Sequence, residues 1–239
     1  MATQFAEFHD ELRSVAADLL AKDRVLDWPV LVEAGWPGLE VPEHLGGAGA
    51  GFTEVALMCE EIGRAAGATG YLGGAVLAVG ALQALAPSEL RNTLLSGIAF
   101  GYTRVGVVSD GFRLERGRLS GHAQFVPDAV AADRLLVLAT TADQTPVLVD
   151  AIGLTVTAQP VVDETRYLAT VSADGAAVPD TAVLQFDGDP QAAVQSLRDR
   201  AAVAVACDSL GLGQAMLDAT VSYVKVRNQF GRAIGSFQA

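Results

Sequence analysis

The sequence predicts an α+β protein with a helical N-terminal domain, a middle antiparallel β-domain and the first long helix of a C-terminal helical bundle. Apolar residues recur with helical spacing through about the first hundred residues. Short β-rich runs punctuated by Gly, Asp and Pro then extend from Ile98 to about Phe186, and a helical pattern returns at about Pro190. We therefore expect domain boundaries at residues 1–97, 98–189 and 190–239.

The N-terminal domain is predicted as a series of amphipathic helices. Phe8, Leu12, Val15 and Leu19 share one face of the first helix because they are three or four residues apart. A turn at Trp36-Pro37-Gly38 and a Gly-rich loop near residues 46–49 separate it from a helix for which Thr53 is the expected N-cap. Further helices are expected from about residue 72 to 85 and after Pro87.

The middle domain is predicted as β-structure because its apolar runs are only about four residues long. Asp110-Gly111 and Arg116-Gly117-Arg118 are hairpin signals between such runs. The runs that we expect to form strands are residues 112–115, 135–138, 146–149, 154–157 and 181–184.

A long helix is predicted from Pro190 to about Arg227. Its face of small residues favours close approach of other helices, so we expect neighbours to cover it. This indicates either a fragment of a longer chain or packing onto another subunit.

Composition narrows the class of protein. The formal net charge is −12 at pH 7 and the 16 Lys and Arg residues are scattered, so we expect no nucleic-acid partner. Neither a secretory leader nor an apolar run long enough for a membrane span is recognisable, which predicts a cytoplasmic protein without a membrane partner. Cys59 and Cys207 have no metal-ligand spacing, so we expect small core residues and no metal site.

Three segments carry a family resemblance. They are GWPGLEVPEHLGGAG at residues 35–49 with EEIGR at 60–64, DETRYLATV at 163–171, and RNQFGRAIGSFQA at 227–239. In this order and spacing, they resemble the acyl-CoA dehydrogenase family, whose members continue well beyond residue 239. The resemblance extends to the degenerate subunit of heteromeric actinobacterial enzymes of sterol side-chain breakdown.

The resemblance implies a flavoprotein oxidoreductase of lipid metabolism. In the family a carboxylate removes the α proton of an acyl-CoA in β-oxidation, FAD accepts the β hydrogen as hydride, and an electron-transfer flavoprotein takes the electrons. The implied partners are therefore acyl-CoA, that flavoprotein and a second subunit, in a homo- or hetero-oligomer. Arg227, Gln229 and Phe230 match family residues that reach the FAD of a neighbouring subunit, and an Arg fork suits a diphosphate.

Other family positions are altered in this sequence. Thr103 lies in the remnant of a flavin-binding strand in which Arg104 replaces an acidic residue. Phe125 replaces a Trp that covers the flavin, and Pro127 replaces a Thr that contacts it, without a hydroxyl or N–H to donate. Thr103 and Phe125 remain candidate cofactor-binding residues.

The catalytic base is unknown. One position that the family uses for a Glu aligns with Ala201, and Asp199 takes that role only if the alignment shifts. Its other interpretation is a solvated Asp between Arg198 and Arg200. The sequence therefore also allows a non-catalytic scaffold subunit of a heteromeric acyl-CoA dehydrogenase, or a flavin oxidase or monooxygenase on the same fold.

Overall fold

The computed structural model describes residues 2–237, with side chains described from Phe8 onward. Six α-helices form the helical part of these residues, and we number them α1 to α6. They span Ala2–Lys22, Trp28–Glu33, Phe52–Arg64, Ala78–Gln83, Glu89–Ala99 and Pro190–Val226. A π-helical segment, Leu72–Leu77, leads directly into α4.

The first helix packs on α3 through part of its predicted face. Leu12 and Leu19 pack against the core, whereas Phe8 and Val15 are exposed. A buried carboxylate helps to join the two helices, since Glu54 Oε1 lies 2.7 Å from Nε2 of His9.

The N-cap prediction for α3 is wrong. The helix begins after Gly51, and the Glu54 carboxylate accepts the Gly51 N–H at 2.8 Å. The Glu54 side chain thus makes the bond to the N-cap N–H that is typical of the Glu in a capping box. The start of α5 is confirmed, because Ser88 Oγ accepts the N–H of Arg91 at the N-cap position.

Seven strands form the middle sheet in the spatial order β7-β8-β4-β3-β5-β6-β9. Numbered along the chain after the two-residue strands β1 (Val25–Leu26) and β2 (Ala68–Thr69), they begin with β3 (Val105–Glu115) and β4 (Arg118–Pro127). The others are β5 (Arg134–Thr141), β6 (Pro146–Ala151), β7 (Thr155–Ala158), β8 (Leu168–Ala177) and β9 (Val183–Leu184). The predicted β-domain is thereby confirmed.

The sheet is mixed, which corrects the purely antiparallel prediction. β3 and β5 pair in parallel, while the other pairs in this sheet are antiparallel. β4 runs back along one edge of β3, and a short turn then carries the chain to the opposite edge. There β5 must run in the direction of β3.

Of the two predicted hairpin turns, the structure contains one. Arg116 and Gly117, with φ of 51° and 70°, join β3 to β4 in a tight turn of the type favoured in hairpins. Gly111 instead lies within β3, at φ 81°, where the pairing with β5 shifts register. Asp110-Gly111 therefore marks a bulge and not a hairpin.

The long helix α6 is confirmed, and it runs without a break across α3 and the start of α4. Only Val194, Ala204 and Gly211 of its 37 residues are buried in the described part of the chain. Leu210, Met216 and Leu217 are more than half exposed. Beyond α6, β10 (Asn228–Gln229) and β11 (Arg232–Ala233) form a small hairpin.

Two apolar clusters hold these parts together. One joins the N-terminal helices to β3, β6 and the start of α6, and the other fills the β-domain. Cys59 belongs to the first cluster, whereas Cys207 is half-buried, so the core prediction holds fully only for Cys59. Among residues 2–237, no helix is both long and apolar enough to cross a membrane.

Candidate functional site

The helical domain and the sheet enclose two adjoining cavities. The Tyr71 cavity, of about 70 Å³, is lined by Cys59, Tyr71, Pro127 and Ala204 among others. The Trp28 cavity, of about 270 Å³, is lined by Trp28, Gly74, Arg104 and Val105 among others. Asp128 and Tyr167 line both cavities. We call the two together the crevice; such clefts between domains are common ligand sites.

Asp128 holds the two walls of the crevice together. It has a left-handed backbone conformation, φ 58°, directly after β4. Its Oδ2 accepts the N–H of Gly73 at 2.7 Å, and its own N–H donates to the Tyr167 carbonyl at 2.7 Å. A Cβ at Gly73 would lie 2.7 Å from both Asp128 Oδ2 and the Pro127 carbonyl oxygen. The close contact therefore requires Gly at position 73.

Burial raises the pKa of the Asp128 carboxyl to about 6. The hydrogen bond from Gly73 and the charge of Arg166 act in the opposite direction and offset part of this effect. The crevice thus contains a carboxyl group that titrates near neutrality.

Arg166 connects three parts of the chain beside the Tyr71 cavity. Its Nη2 donates to Asp208 Oδ2 on α6 at 2.5 Å, and its Nη1 donates to the Gly67 carbonyl after α3 at 3.2 Å. Because Arg166 comes just before β8, the ion pair joins the sheet to α6, and the hydrogen bond joins it to the segment after α3.

Two residues that line the crevice carry buried donors without a hydrogen-bond partner among the described residues. They are the Tyr71 hydroxyl and the Trp28 Nε1–H, and each residue lines the cavity named after it. Burial raises the pKa of Tyr71 well above its ordinary value. Both groups are therefore neutral donors at physiological pH.

The predicted residues Arg227, Gln229 and Phe230 lie together on the hairpin after α6. Arg227 ends the helix and its backbone bonds Ile234, which closes the hairpin. Phe230 and Gly231, with φ of 50° and 79°, form the two-residue turn, and the Phe230 side chain is 93% exposed. The hairpin thus presents a guanidinium, an amide and a ring to the surroundings. Gln238 and Ala239 of this motif lie outside the described residues.

Thr103 and Phe125 lie outside the hairpin and apart from the cavity walls. Thr103 donates its N–H to the Gly97 carbonyl and borders a surface hollow beside α5. Phe125, in β4 with φ 57°, is more than half exposed, and its N–H donates to Gln159 Oε1. Neither residue lines the crevice, although Pro127 lines the Tyr71 cavity.

Asp199 is exposed on α6 and accepts a hydrogen bond from Gln195 at 2.8 Å. It borders a hollow beside Phe52 and Gly80 and does not line the crevice. Its neighbour Arg200 is largely buried. It is paired with Glu40, donates to the Val76 carbonyl at 2.7 Å and lies 4.3 Å from the Phe52 ring centroid.

Sequence reasoning missed the crevice residues Tyr71 and Asp128 and gave Arg166 no role. Arg166 lies in the DETRYLATV motif, but its partners Asp208 and Gly67 are 42 and 99 residues away along the chain. A usable signal was Gly73-Gly74, since paired glycines within a helical pattern indicate close approach of another segment. Among the side chains described from Phe8 onward, no cluster of three metal-ligating groups occurs.

Comparison with known proteins places this architecture in a family. Residues 1–102 match the acyl-CoA dehydrogenase N-terminal domain, and residues 192–239 match the acyl-CoA dehydrogenase C-terminal domain. Acyl-CoA dehydrogenase FadE28 of Mycobacterium tuberculosis is 33% identical over 90% of this chain and 64% of its own length. Acyl-CoA dehydrogenase IpdE2 of Mycolicibacterium smegmatis is 32% identical over 89% of this chain and 58% of its own.

Solved structures agree with the sequence relatives. A Tcur3481–Tcur3483 steroid ACAD variant superposes with a TM-score of 0.83 at 27% identity, covering 97% of this chain and 70% of that one. The ChsE4–ChsE5 complex from Mycobacterium tuberculosis, at 24% identity and a TM-score of 0.84, shares the fold over 96% of this chain and 70% of that one. The helix–sheet–helix order and these matches define the same class of protein. The chain belongs to the acyl-CoA dehydrogenase family. It spans 58–64% of the length of the curated relatives named above.

Proposed function

We propose that this chain is an FAD-dependent acyl-CoA dehydrogenase or a subunit of one. The reaction is α,β-dehydrogenation of an acyl-CoA thioester, with FAD as hydride acceptor and an electron-transfer flavoprotein as the electron acceptor. The membership of the family supports the reaction class. The exposed hairpin after α6 supports a shared site in an oligomer, and this is the observation on which the proposal mainly rests.

The hairpin has the chemistry that the diphosphate of FAD requires. Arg227 is exposed and, among the described residues, its guanidinium has no acidic partner. An unpaired guanidinium can donate two parallel hydrogen bonds to phosphate oxygens. Gln229 and the Phe230 ring lie beside it and would add an amide and an apolar face. Because none of these side chains lines the chain's own crevice, we assign them to the FAD of a neighbouring subunit.

The crevice is the proposed place for the acyl group. Its walls are apolar for the most part, and Asp128 and Arg166 are polar residues within them. Bound FAD would supply the hydride acceptor, while the chain's own residues orient the acyl group and exclude water. Phe125 is exposed and can stack on a flavin ring, whereas Pro127 has no N–H to donate.

The described residues offer only a weak candidate for the catalytic base. Asp199 stays a candidate from the alignment, but its place on the exposed side of α6 puts it beside another hollow. We therefore propose that a partner subunit supplies the carboxylate, as in a hetero-oligomer with a second acyl-CoA dehydrogenase subunit.

A second candidate is a non-catalytic scaffold subunit of such an enzyme. The end of β4 favours the scaffold subunit, because it offers few hydrogen-bond donors to a flavin. The Phe125 N–H is already bonded to Gln159, and Pro127 has no N–H. In this case Arg227 would still contribute to the partner's FAD, but the crevice would bind no acyl group.

The flavin content of purified protein tests the proposal. The chain is purified alone and after co-expression with a second acyl-CoA dehydrogenase subunit, and FAD per polypeptide is read from the visible spectrum. Bleaching of the flavin by an acyl-CoA in the absence of oxygen supports the dehydrogenase. Bleaching that substitutions in this chain's crevice leave unchanged favours the scaffold subunit, and absence of flavin from both preparations rejects both candidates.

A further inference from the structure

Arg104 is held at both ends of its side chain beside the Trp28 cavity. Its backbone N–H donates to Asp133 Oδ2 at 2.8 Å, and its carbonyl accepts the N–H groups of Asp133 and Arg134 at 2.8 and 3.1 Å. At the far end, the guanidinium carbon lies 5.8 Å from the ring centroid of Trp28, which is buried. At this distance an aromatic ring attracts a cation. The position of the guanidinium is therefore set before any ligand binds.

The guanidinium of Arg104 has no acceptor among the described residues. Acidic residues line the Trp28 cavity or the shallow hollow outside it, namely Asp27, Asp128, Glu33 and Asp133. None of them forms an ion pair with Arg104. The residue is half-buried, yet none of its nitrogens is closed off from solvent. The N–H donors of this guanidinium are thus both fixed in place and available to a ligand.

The surroundings of Arg104 favour a ligand that is apolar with one charged end. The Trp28 cavity and the outer hollow share Trp28, Arg104 and Ala131, so Arg104 lies where the crevice opens to the surface. The wall beside it includes Leu26 and Val105, which are apolar. A volume of about 270 Å³ accommodates a short carbon chain and one polar group.

We propose that Arg104 binds a carboxylate carried by the acyl group itself, so that the crevice selects acyl thioesters with a second, free carboxyl group. This inference rests on the proposed function, because it takes the crevice as the acyl site. The guanidinium fork matches the two oxygens of a carboxylate and donates two parallel hydrogen bonds to them. A phosphate carries more negative charge, and Asp27 and Asp128 in the same wall would repel it more strongly.

A matched series of acyl-CoA thioesters tests the proposal. The flavin-loaded enzyme, with its partner subunit, is titrated calorimetrically with ω-carboxyacyl-CoA thioesters of increasing chain length and with the saturated acyl-CoA of each length. Because Arg104 is fixed, one length of the carboxylated series should bind best. At that length Arg104→Met should weaken binding of the carboxylated thioester about tenfold or more and leave the saturated one within about twofold. Arg104→Lys keeps the charge but loses the fork, so its affinity should lie in between.

Arg113→Met is the control, because Arg113 is exposed on β3 and does not line the crevice. It should bind both thioesters as the unchanged enzyme does.

Three results would overturn the inference and leave the proposed function intact. Undiminished binding of the carboxylated thioester by Arg104→Met would remove Arg104 from the site. An equal loss for both thioesters would place the guanidinium at a part that they share, such as a phosphate of CoA, and a lower flavin content would place it at FAD. Failure of every acyl-CoA to bind the unchanged enzyme would instead reject the acyl site and the inference with it. An unchanged melting temperature shows that Arg104→Met is folded, and Arg104→Lys provides the same comparison if it is not.

Discussion

Gly63 of α3 and Gly211 of α6 lie at the crossing of the two helices, each facing the backbone of the other helix. A Cβ on Gly63 would lie 1.9 Å from the carbonyl oxygen of Asp208, and a Cβ on Gly211 would lie 1.9 Å from that of Glu60. These distances are far below van der Waals contact, so the two backbones can approach this closely only because both residues lack side chains. The same crossing places Asp208 within reach of Arg166.

Gly63→Ala and Gly211→Ala should each destabilise the protein. Added methyl groups force the helices apart, and we expect a loss of about 2–3 kcal/mol or more in the free energy of unfolding, measured by urea titration. Gly213→Ala is the matched control in the same helix, because nothing lies within 4 Å of its added Cβ. It should be neutral or stabilising by up to about 1 kcal/mol. Similar losses for all three variants would contradict this account of the crossing.

The buried pair of Arg200 and Glu40 anchors the start of α6. Both side chains are only 12% exposed, so removal of one leaves the other charged and unpaired. Arg200→Met should therefore cost about 3–5 kcal/mol in the free energy of unfolding. Arg198→Met, at an exposed position of the same helix, should change it by less than about 0.5 kcal/mol. The double variant Glu40→Gln/Arg200→Met should lose less than the sum of the two single variants.

The stability of the protein should depend on the protonation of Asp128. Its pKa is about 6 in the folded chain against an ordinary value of 3.8, so the folded state holds this proton more tightly. The contribution of Asp128 is thus fully present below about pH 4 and is lost as the pH rises to about 6. Asp128→Asn removes this loss and keeps an acceptor for the Gly73 N–H. We expect the variant to gain about 1–3 kcal/mol over the unchanged protein between pH 4 and pH 7.

Urea titrations of both proteins at several pH values measure this difference. Arg166 is the charged group that acts on Asp128 in the opposite direction, so Arg166→Met should widen the gap. The prediction fails if the difference in unfolding free energy stays constant with pH or favours the unchanged protein at neutral pH. Either result would show that the folded state does not disfavour the charged form of Asp128.

Arg227→Ala should weaken flavin binding without affecting the fold. The side chain is exposed, so we expect a melting temperature within about 1 °C of the unchanged protein. If the guanidinium binds the diphosphate, flavin affinity in the oligomer should fall at least about tenfold, because charge-assisted bonds are lost. Lys225→Ala, two residues earlier and also exposed, is the control and should retain flavin. Equal flavin content in both variants would remove Arg227 from the site.

The sequence predicted features that depend on local signals. The start of α5 after Pro87 and the span of α6 follow from local turn signals and periodicity, and Arg227 to Phe230 lie together because they are adjacent in the chain. The parallel pairing of β3 and β5 could not be predicted, since it depends on which edge of β3 the chain reaches after β4. The crevice escaped prediction for a related reason. Tyr71, Asp128 and Arg166 come from three distant segments, and only the folded chain brings them together.

The π-helical segment Leu72–Leu77 sets the rotational phase of α4, the helix that follows it. A π-turn contains one more residue than an α-turn, so it accommodates an extra residue without rotating the helix beyond it. If the same residues formed regular α-turns, α4 would be rotated by about 100° relative to the segment before the turn. Gly80 now faces Arg200, and a Cβ added to Gly80 would lie only 2.4 Å from Nε of Arg200. After such a rotation a residue with a side chain would occupy that position and exclude the guanidinium.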